Sequence, residues 1–152
     1  MDRRLAAVAQ PFLMEGRVEI GAAIADWATV ATTTLSSTAY GKLLSYGVTV
    51  RDPAYEYTGT LAFRLMLNGA PFITNTNGTV TAGQDGSWTL ERGSVVNQLP
   101  TLIHLSDGST IVFQARRVSV AALAQTVDFS ACGWTAPRNC APCNDDDGKY
   151  RV

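Results

Sequence analysis

Residues 55–74 read YEYTGTLAFRLMLNGAPFIT. Gly59 interrupts a long run of strand-forming side chains, which resumes at Thr60–Leu67 and stops on Asn68-Gly69. Both turn residues tolerate positive φ, as a two-residue type I′ turn requires, so Thr60–Leu67 is expected to fold back on Ala70–Thr74. A helix has no use for this pattern, because Asn-Gly would break it at its most apolar point. The stretch therefore predicts antiparallel β-structure.

Working outward, turn signals recur roughly every 8–12 residues from Tyr46 onward, the spacing of an all-β sandwich or barrel. Val48-Thr49-Val50 leads into Arg51-Asp52-Pro53. Asn77-Gly78 precedes Thr79–Ala82, Asp85-Gly86 precedes Ser87–Glu91, and Arg92-Gly93 precedes Ser94–Asn97. The clearest pattern is Thr101–Leu105 and Thr110–Arg116 around Ser106-Asp107-Gly108-Ser109, which reads as a second hairpin. A last strand is expected at about Val118–Phe129, although Ala121-Ala122-Leu123-Ala124 equally suits a helical turn. The fold class is thus all-β, an antiparallel β-sandwich or jelly-roll-like barrel.

On either side of this region the pattern weakens. Residues 3–14 can form only one or two helical turns before Pro11, so 1–16 reads as an N-terminal arm. Arg17-Val18-Glu19-Ile20 alternates as a strand with one wet face does, which starts the β-domain, expected to span 17–129. Within it, residues 28–45 (ATVATTTLSSTAYGKLLS) show no clear period and read as a Thr/Ser-rich loop or extended segment. Residues 130–152, with Cys132, Cys140 and Cys143, exchange the strand pattern for small, turn-forming and charged residues, as a tail does.

A chain of 152 residues is long enough to bury about 68–70% of its unfolded surface. Its formal net charge of −1, with basic residues scattered apart from Arg3-Arg4 and Arg116-Arg117, gives no strong nucleic-acid signal. Charged residues make up only 16% of the chain, below the roughly 25% of ordinary domains, which fits a surface partly covered by something else. The N-terminal apolar run Leu5–Gln10 is shorter than the apolar region of a signal peptide, so mature sequence is expected. No run approaches the roughly 18 or more apolar residues of a membrane span.

Chemistry-bearing residues are few. His104 is the single histidine, and a Ser-His-Asp or Cys-His arrangement would have to use it, with Asp107 or a distant serine as partner. A side chain on a strand face, satisfied by a neighbour, is the simpler reading. Asp52, Asp85 and Asp107 sit where turns want an Asx side chain, leaving Glu56 and Glu91 as members of a glycosidase-type pair. Cys140-Ala141-Pro142-Cys143 has the spacing of a zinc or redox site, with Cys132 and Asp145 as further ligands. Against this stand free thiols or a local or intersubunit disulfide. Asn144–Gly148 lacks the register and closing glutamate of a calcium loop, and Asn77-Gly78-Thr79 matches a glycosylation sequon. Trp27, Trp88 and Trp134 with Tyr40, Tyr46, Tyr55, Tyr57 and Tyr150 can make a sugar platform, or fill the core and interfaces. No catalytic, cofactor-binding or metal residue is assigned from these patterns, and no cofactor is expected.

Residues 57–72, YTGTLAFRLMLNGAPF, with the polar turns up to Gln114, resemble the β-structural proteins of bacteriophages and related viruses: capsid, decoration and spike subunits. The resemblance implies a non-enzymatic structural subunit located in the virion, whose partners are copies of itself and other structural subunits. The alternative is a carbohydrate- or ligand-binding β-sandwich module.

Overall fold

The computed structural model describes residues 9–51, 59–72, 88–90 and 93–137. These form nine strands: β1 (Gln10–Ile20), β2 (Ala28–Thr34), β3 (Ala39–Arg51), β4 (Leu61–Leu67), β5 (Ala70–Phe72), β6 (Trp88–Leu90), β7 (Gly93–Leu105), β8 (Thr110–Arg117) and β9 (Gln125–Pro137). One sheet has the order β1-β9-β3-β7; the other runs β2-β8-β4-β5, with β6 also on β4. Because β8 occupies one edge of β4 from Leu61 to Leu67, β5 and β6 divide the other edge between them.

All of these pairs are antiparallel, and they nest. β1 pairs with β9, β2 with β8, β3 with β7, and β4 with β5 and β6. This is one long hairpin rolled over itself, closed into two sheets when β9 also joins β3 and β8 joins β4. The fold is an antiparallel jelly-roll sandwich.

Alternation places the core. Met14 and Ile20 of β1, Tyr46, Val48 and Val50 of β3 and Val127, Phe129 and Ala131 of β9 face inward from the first sheet. Leu61, Phe63 and Leu65 of β4 meet them, with Ile111, Phe113 and Ala115 of β8. Phe113 stacks on Phe129 across the sandwich at 4.0 Å between centroids, with Phe63 5.9 Å beyond Phe113 and Tyr46 6.1 Å from Phe129. At the flank, Gly16 of β1 passes so close to β2 that a β-carbon there would lie 2.1 Å from the Val30 carbonyl oxygen. Only glycine admits that approach.

The Asn68-Gly69 hairpin forms as the sequence predicts, with φ of 51° and 80° and Leu67 opposite Ala70. The second hairpin does not. Ser106–Ser109 is a turn, closed by Ser109 N–H to the Ser106 carbonyl at 3.1 Å, but its arms join different sheets: β7 pairs with β3, and β8 with β2 and β4. Local turn chemistry is the same for a hairpin and for an arch between sheets, and long-range pairing decides which is made.

The segment boundaries differ too. Residues 10–16 of the expected arm are the first half of β1, and residues 28–45, expected as a loop, are β2 and much of β3. Residues 130–137 of the expected tail complete β9, whereas 118–124 form a loop rather than the start of the last strand. The Thr-rich segment lacking a period becomes strand here because neighbours supply its hydrogen bonds: β8 along one edge of β2, and β7 and β9 on the two sides of β3.

Candidate assembly surface

Three connections meet at one end of the sandwich: residues 21–27 between β1 and β2, residues 59–60 before β4, and residues 118–124 between β8 and β9. Ala121 N–H donates to the Ala22 carbonyl at 2.9 Å, Val118 N–H to the Thr60 carbonyl at 3.0 Å, and Thr60 N–H to Ser119 Oγ at 2.8 Å. Beneath them lies Arg117, fully buried, at the inward-facing last position of β8. Its Nε donates to the Gly21 carbonyl at 3.0 Å, one terminal nitrogen to Gln125 Oε1, and the other to the Ile20 carbonyl at 3.4 Å. A buried guanidinium must be satisfied by protein acceptors, and satisfying this one fixes where β1 ends and β9 begins.

On this hydrogen-bonded base the loops expose apolar side chains. Ile24 is 63% exposed, Val118 43%, Val120 71% and Leu123 39%, four of the six large hydrophobic residues left exposed among those whose side chains the structure describes. In residues 21–27 and 118–124 the only charged side chain is Asp26.

The other two, Leu13 and Leu44, lie toward the opposite end of the sandwich, at the outer face of the first sheet. Leu13 of β1 pairs with Cys132 of β9, and Cys132 with Ser45 of β3, beside the bulge that displaces Leu44. The Cys132 thiol is free and exposed, 3.0 Å from Ser45 Oγ. A charged band separates this patch from the loop end. Arg17 hydrogen-bonds to Asp128, and Arg51 Nε lies 2.8 Å from its other carboxylate oxygen. The hydrogen bond from Arg17 is the main reason that the Asp128 carboxyl is held below its ordinary value, against partial burial, and both guanidinium charges add to the effect. An open groove of about 570 Å³ runs past Glu15, Arg17, Gly47, Asp128 and Ser130.

The candidates from sequence are dispersed. His104 lies in β7 opposite Lys42, and Asp107 is exposed in the arch. Glu56, Glu91, Asp52, Asp85, Cys140, Cys143, Asp145, the sequon at Asn77, Tyr55, Tyr57 and Tyr150 lie outside the described residues. Tyr46 is in the core. Trp134 meets Tyr40 edge-on at 5.9 Å on the first sheet, whereas Trp27, just before β2, is stacked by the guanidinium groups of Arg64 and Arg116 at 4.2 and 4.7 Å on the second. The rings of Trp27 and Trp134 thus belong to different sheets and do not share a platform. Among the described residues, no group of three or more His, Cys, Asp or Glu can hold a metal ion, and no helix is long and apolar enough to cross a membrane. Sequence reading missed Arg117 and the loop apolar residues; the one signal was VSVAALA at 118–124, apolar yet without alternation.

No protein family and no curated protein matches the chain by sequence. Among solved structures it is similar to a chain of the cyanophage Pam1 capsid asymmetric unit, at 18% identity and a TM-score of 0.47, over 84% of this chain and 86% of that one. It is similar to a chain of the Israeli acute paralysis virus particle at 11% identity and a TM-score of 0.40, over 90% and 78%. A chain of the disulfide-linked pili of Bacillus endospore appendages follows at 14% identity and a TM-score of 0.32, over 85% and 89%. Virus particles, the class that residues 57–72 resemble, are thus among the structures to which this chain is similar.

Proposed function

We propose that this chain is a non-enzymatic structural subunit of a virus particle, where it packs against copies of itself and other structural subunits. The observation that carries the reading is the loop end, where Ile24, Val118, Val120 and Leu123 stand exposed on a base fixed by buried Arg117. An apolar surface without convergent polar groups fits a protein contact better than a small-molecule site.

Magnitudes favour an array over an isolated pair. Burying a whole Val, Leu or Ile side chain is worth about 1.5–3 kcal/mol, so the half still exposed on four of them gives roughly 4 kcal/mol. Association itself costs about 4–15 kcal/mol. One such contact barely holds two molecules together, but a closed array in which every subunit makes several holds firmly.

The test is assembly of the purified chain, followed by light scattering across concentration and by electron microscopy, beside the double variant Ile24→Ser/Val120→Ser. The wild type is expected to form high-order particles, and the variant to remain a folded monomer by circular dichroism. Particles purified from infected cells should also contain the chain in a fixed ratio to the other subunits. A wild-type protein that stays monomeric at every concentration and binds oligosaccharide instead would establish the ligand-binding module.

A further inference from the structure

The chain has two Asn-Gly pairs, Asn68-Gly69 and Asn77-Gly78, and the first lies among the described residues. An asparagine before glycine loses its side-chain amide more readily than before any other residue, because glycine puts no side chain in the way of its own backbone nitrogen. Asn68 and Gly69 are both exposed, and a β-carbon at Gly69 would meet nothing within 4 Å, so water reaches the pair. The turn is nevertheless held. Asn68 N–H donates to the Thr110 carbonyl and Thr110 N–H donates to Asn68 Oδ1, both at 2.9 Å, while Thr110 Oγ1 lies 3.0 Å from Thr34 Oγ1. The side chain able to react is therefore also one of the two links that dock the turn on β8.

We propose that Asn68 is a modification site, where water converts the side-chain amide to a carboxylate, and that docking of the turn on β8 gates the reaction. The site is independent of the assembly reading. The Gly69 nitrogen gives up its proton and bonds to Asn68 Cγ, the Cγ–Nδ2 bond breaks, and the amide nitrogen leaves as ammonia. A water molecule then opens the five-membered imide at either carbonyl, leaving aspartate or isoaspartate. Ring closure requires the side chain to leave its staggered well until Cγ eclipses the backbone carbonyl carbon. It also requires the backbone to leave the left-handed region, φ 51° at Asn68, that the type I′ turn imposes. Turning Cγ toward the Gly69 nitrogen draws Oδ1 off Thr110 N–H, so the docked turn must lift before the bond can form.

The two products differ in what they do to the fold. Aspartate keeps an acceptor for Thr110 N–H and adds one negative charge. Isoaspartate routes the main chain through the side chain and lengthens it by one carbon, so a two-residue turn whose twist matches β4 and β5 cannot be rebuilt. The pairing of Leu67 with Ala70 and of Leu65 with Phe72 is then lost. A brief lifting of the turn is thus recorded permanently at one edge of the second sheet. Each hydrogen bond shifts an equilibrium by roughly fivefold net, so the two that dock the turn hold it closed by about 25-fold.

The full chain is held at mildly alkaline pH, folded or in concentrated urea, and amide loss at each asparagine is followed by peptide mapping with mass spectrometry. In urea, Asn68 and Asn77 should react at similar rates, both being Asn-Gly in an open chain. Folded, Asn68 should react about 25-fold more slowly than in urea. Thr110→Pro removes the N–H that holds Oδ1, at the first residue of β8, where proline is tolerated, and should raise the folded rate at Asn68 roughly fivefold with an unchanged far-ultraviolet spectrum. Should that variant not fold, hydrogen exchange at the Thr110 amide of the wild type takes its place, and the open fraction it reports should match the folded-to-urea ratio of rates to within about tenfold. A folded rate equal to that in urea, a folded Thr110→Pro chain reacting at the wild-type rate, or an open fraction outside that range overturns the gating. No amide loss at Asn68 in either condition overturns the site itself. Ion exchange separates the products, and the isoaspartyl form should melt below the aspartyl form; equal melting would mean that the turn is rebuilt after all.

Discussion

Arg117 shows how one residue can set a surface without belonging to it. Its side chain is fully buried and bridges the end of β1 to the start of β9 through the carbonyls of Ile20 and Gly21 and the amide of Gln125. Removing it by Arg117→Met strands these three acceptors, each at a cost of about 1–3 kcal/mol, so a loss of at least about 3 kcal/mol is expected in urea unfolding. The double variant Arg117→Met/Gln125→Leu should recover part of that loss, because taking away both partners of a buried hydrogen bond costs less than taking away one. A double variant no more stable than the single one would mean that the Gln125 contact contributes little. Sequence gave no hint of this role, since Arg116-Arg117 reads as a pair of surface charges until alternation along β8 assigns opposite faces to its two members.

At the scale of elements, strands were legible where alternation and turns agreed, and illegible where partners supplied the order. The Asn68-Gly69 hairpin is a local event, with both turn residues at positive φ. Asn68 adds a second device: its N–H donates to the Thr110 carbonyl and its side chain accepts from Thr110 N–H, both at 2.9 Å, so the turn docks on the start of β8. The arch at Ser106–Ser109 also docks, with Gly108 N–H on the Ser36 carbonyl at 3.2 Å and Leu35 N–H on the Ser109 carbonyl at 2.9 Å. Which sheet each arm joins depends on strands far upstream, β3 for β7 and β2 and β4 for β8, and no local motif carries that. Gly108 has φ of 70°, where an L side chain costs about 1–2 kcal/mol. Gly108→Ala should therefore lower stability by about that much in urea unfolding while leaving the far-ultraviolet spectrum unchanged. A neutral result would mean that the arch adopts another backbone conformation in solution.

Across the whole molecule, low charge content raises the expectation of a covered surface, but only the fold separates apolar residues at the loop end and the outer patch from those in the core. Val118 and Val120 look no different in sequence from Val48 and Val50; the first pair is exposed and the second buried. The loop-end contact proposed between copies is apolar, and that gives it a thermodynamic signature. Apolar association weakens on cooling, because its driving force near room temperature is entropic, and strengthens in sulfate, which is excluded from protein surfaces. The charged band of Arg17, Asp128 and Arg51 would behave oppositely if it carried the contact, since salt screens exposed charges within a Debye length of about 10 Å at 0.1 M. Static light scattering at 4 °C and 30 °C, in low salt and in ammonium sulfate below the precipitation limit, distinguishes the two. Assemblies should loosen in the cold and tighten in sulfate, and the Ile24→Ser/Val120→Ser variant should lose both responses. Dissociation by moderate sodium chloride with no change on cooling would transfer the contact from the apolar patches to the charged band, and the loop end would then need another explanation for its exposed side chains.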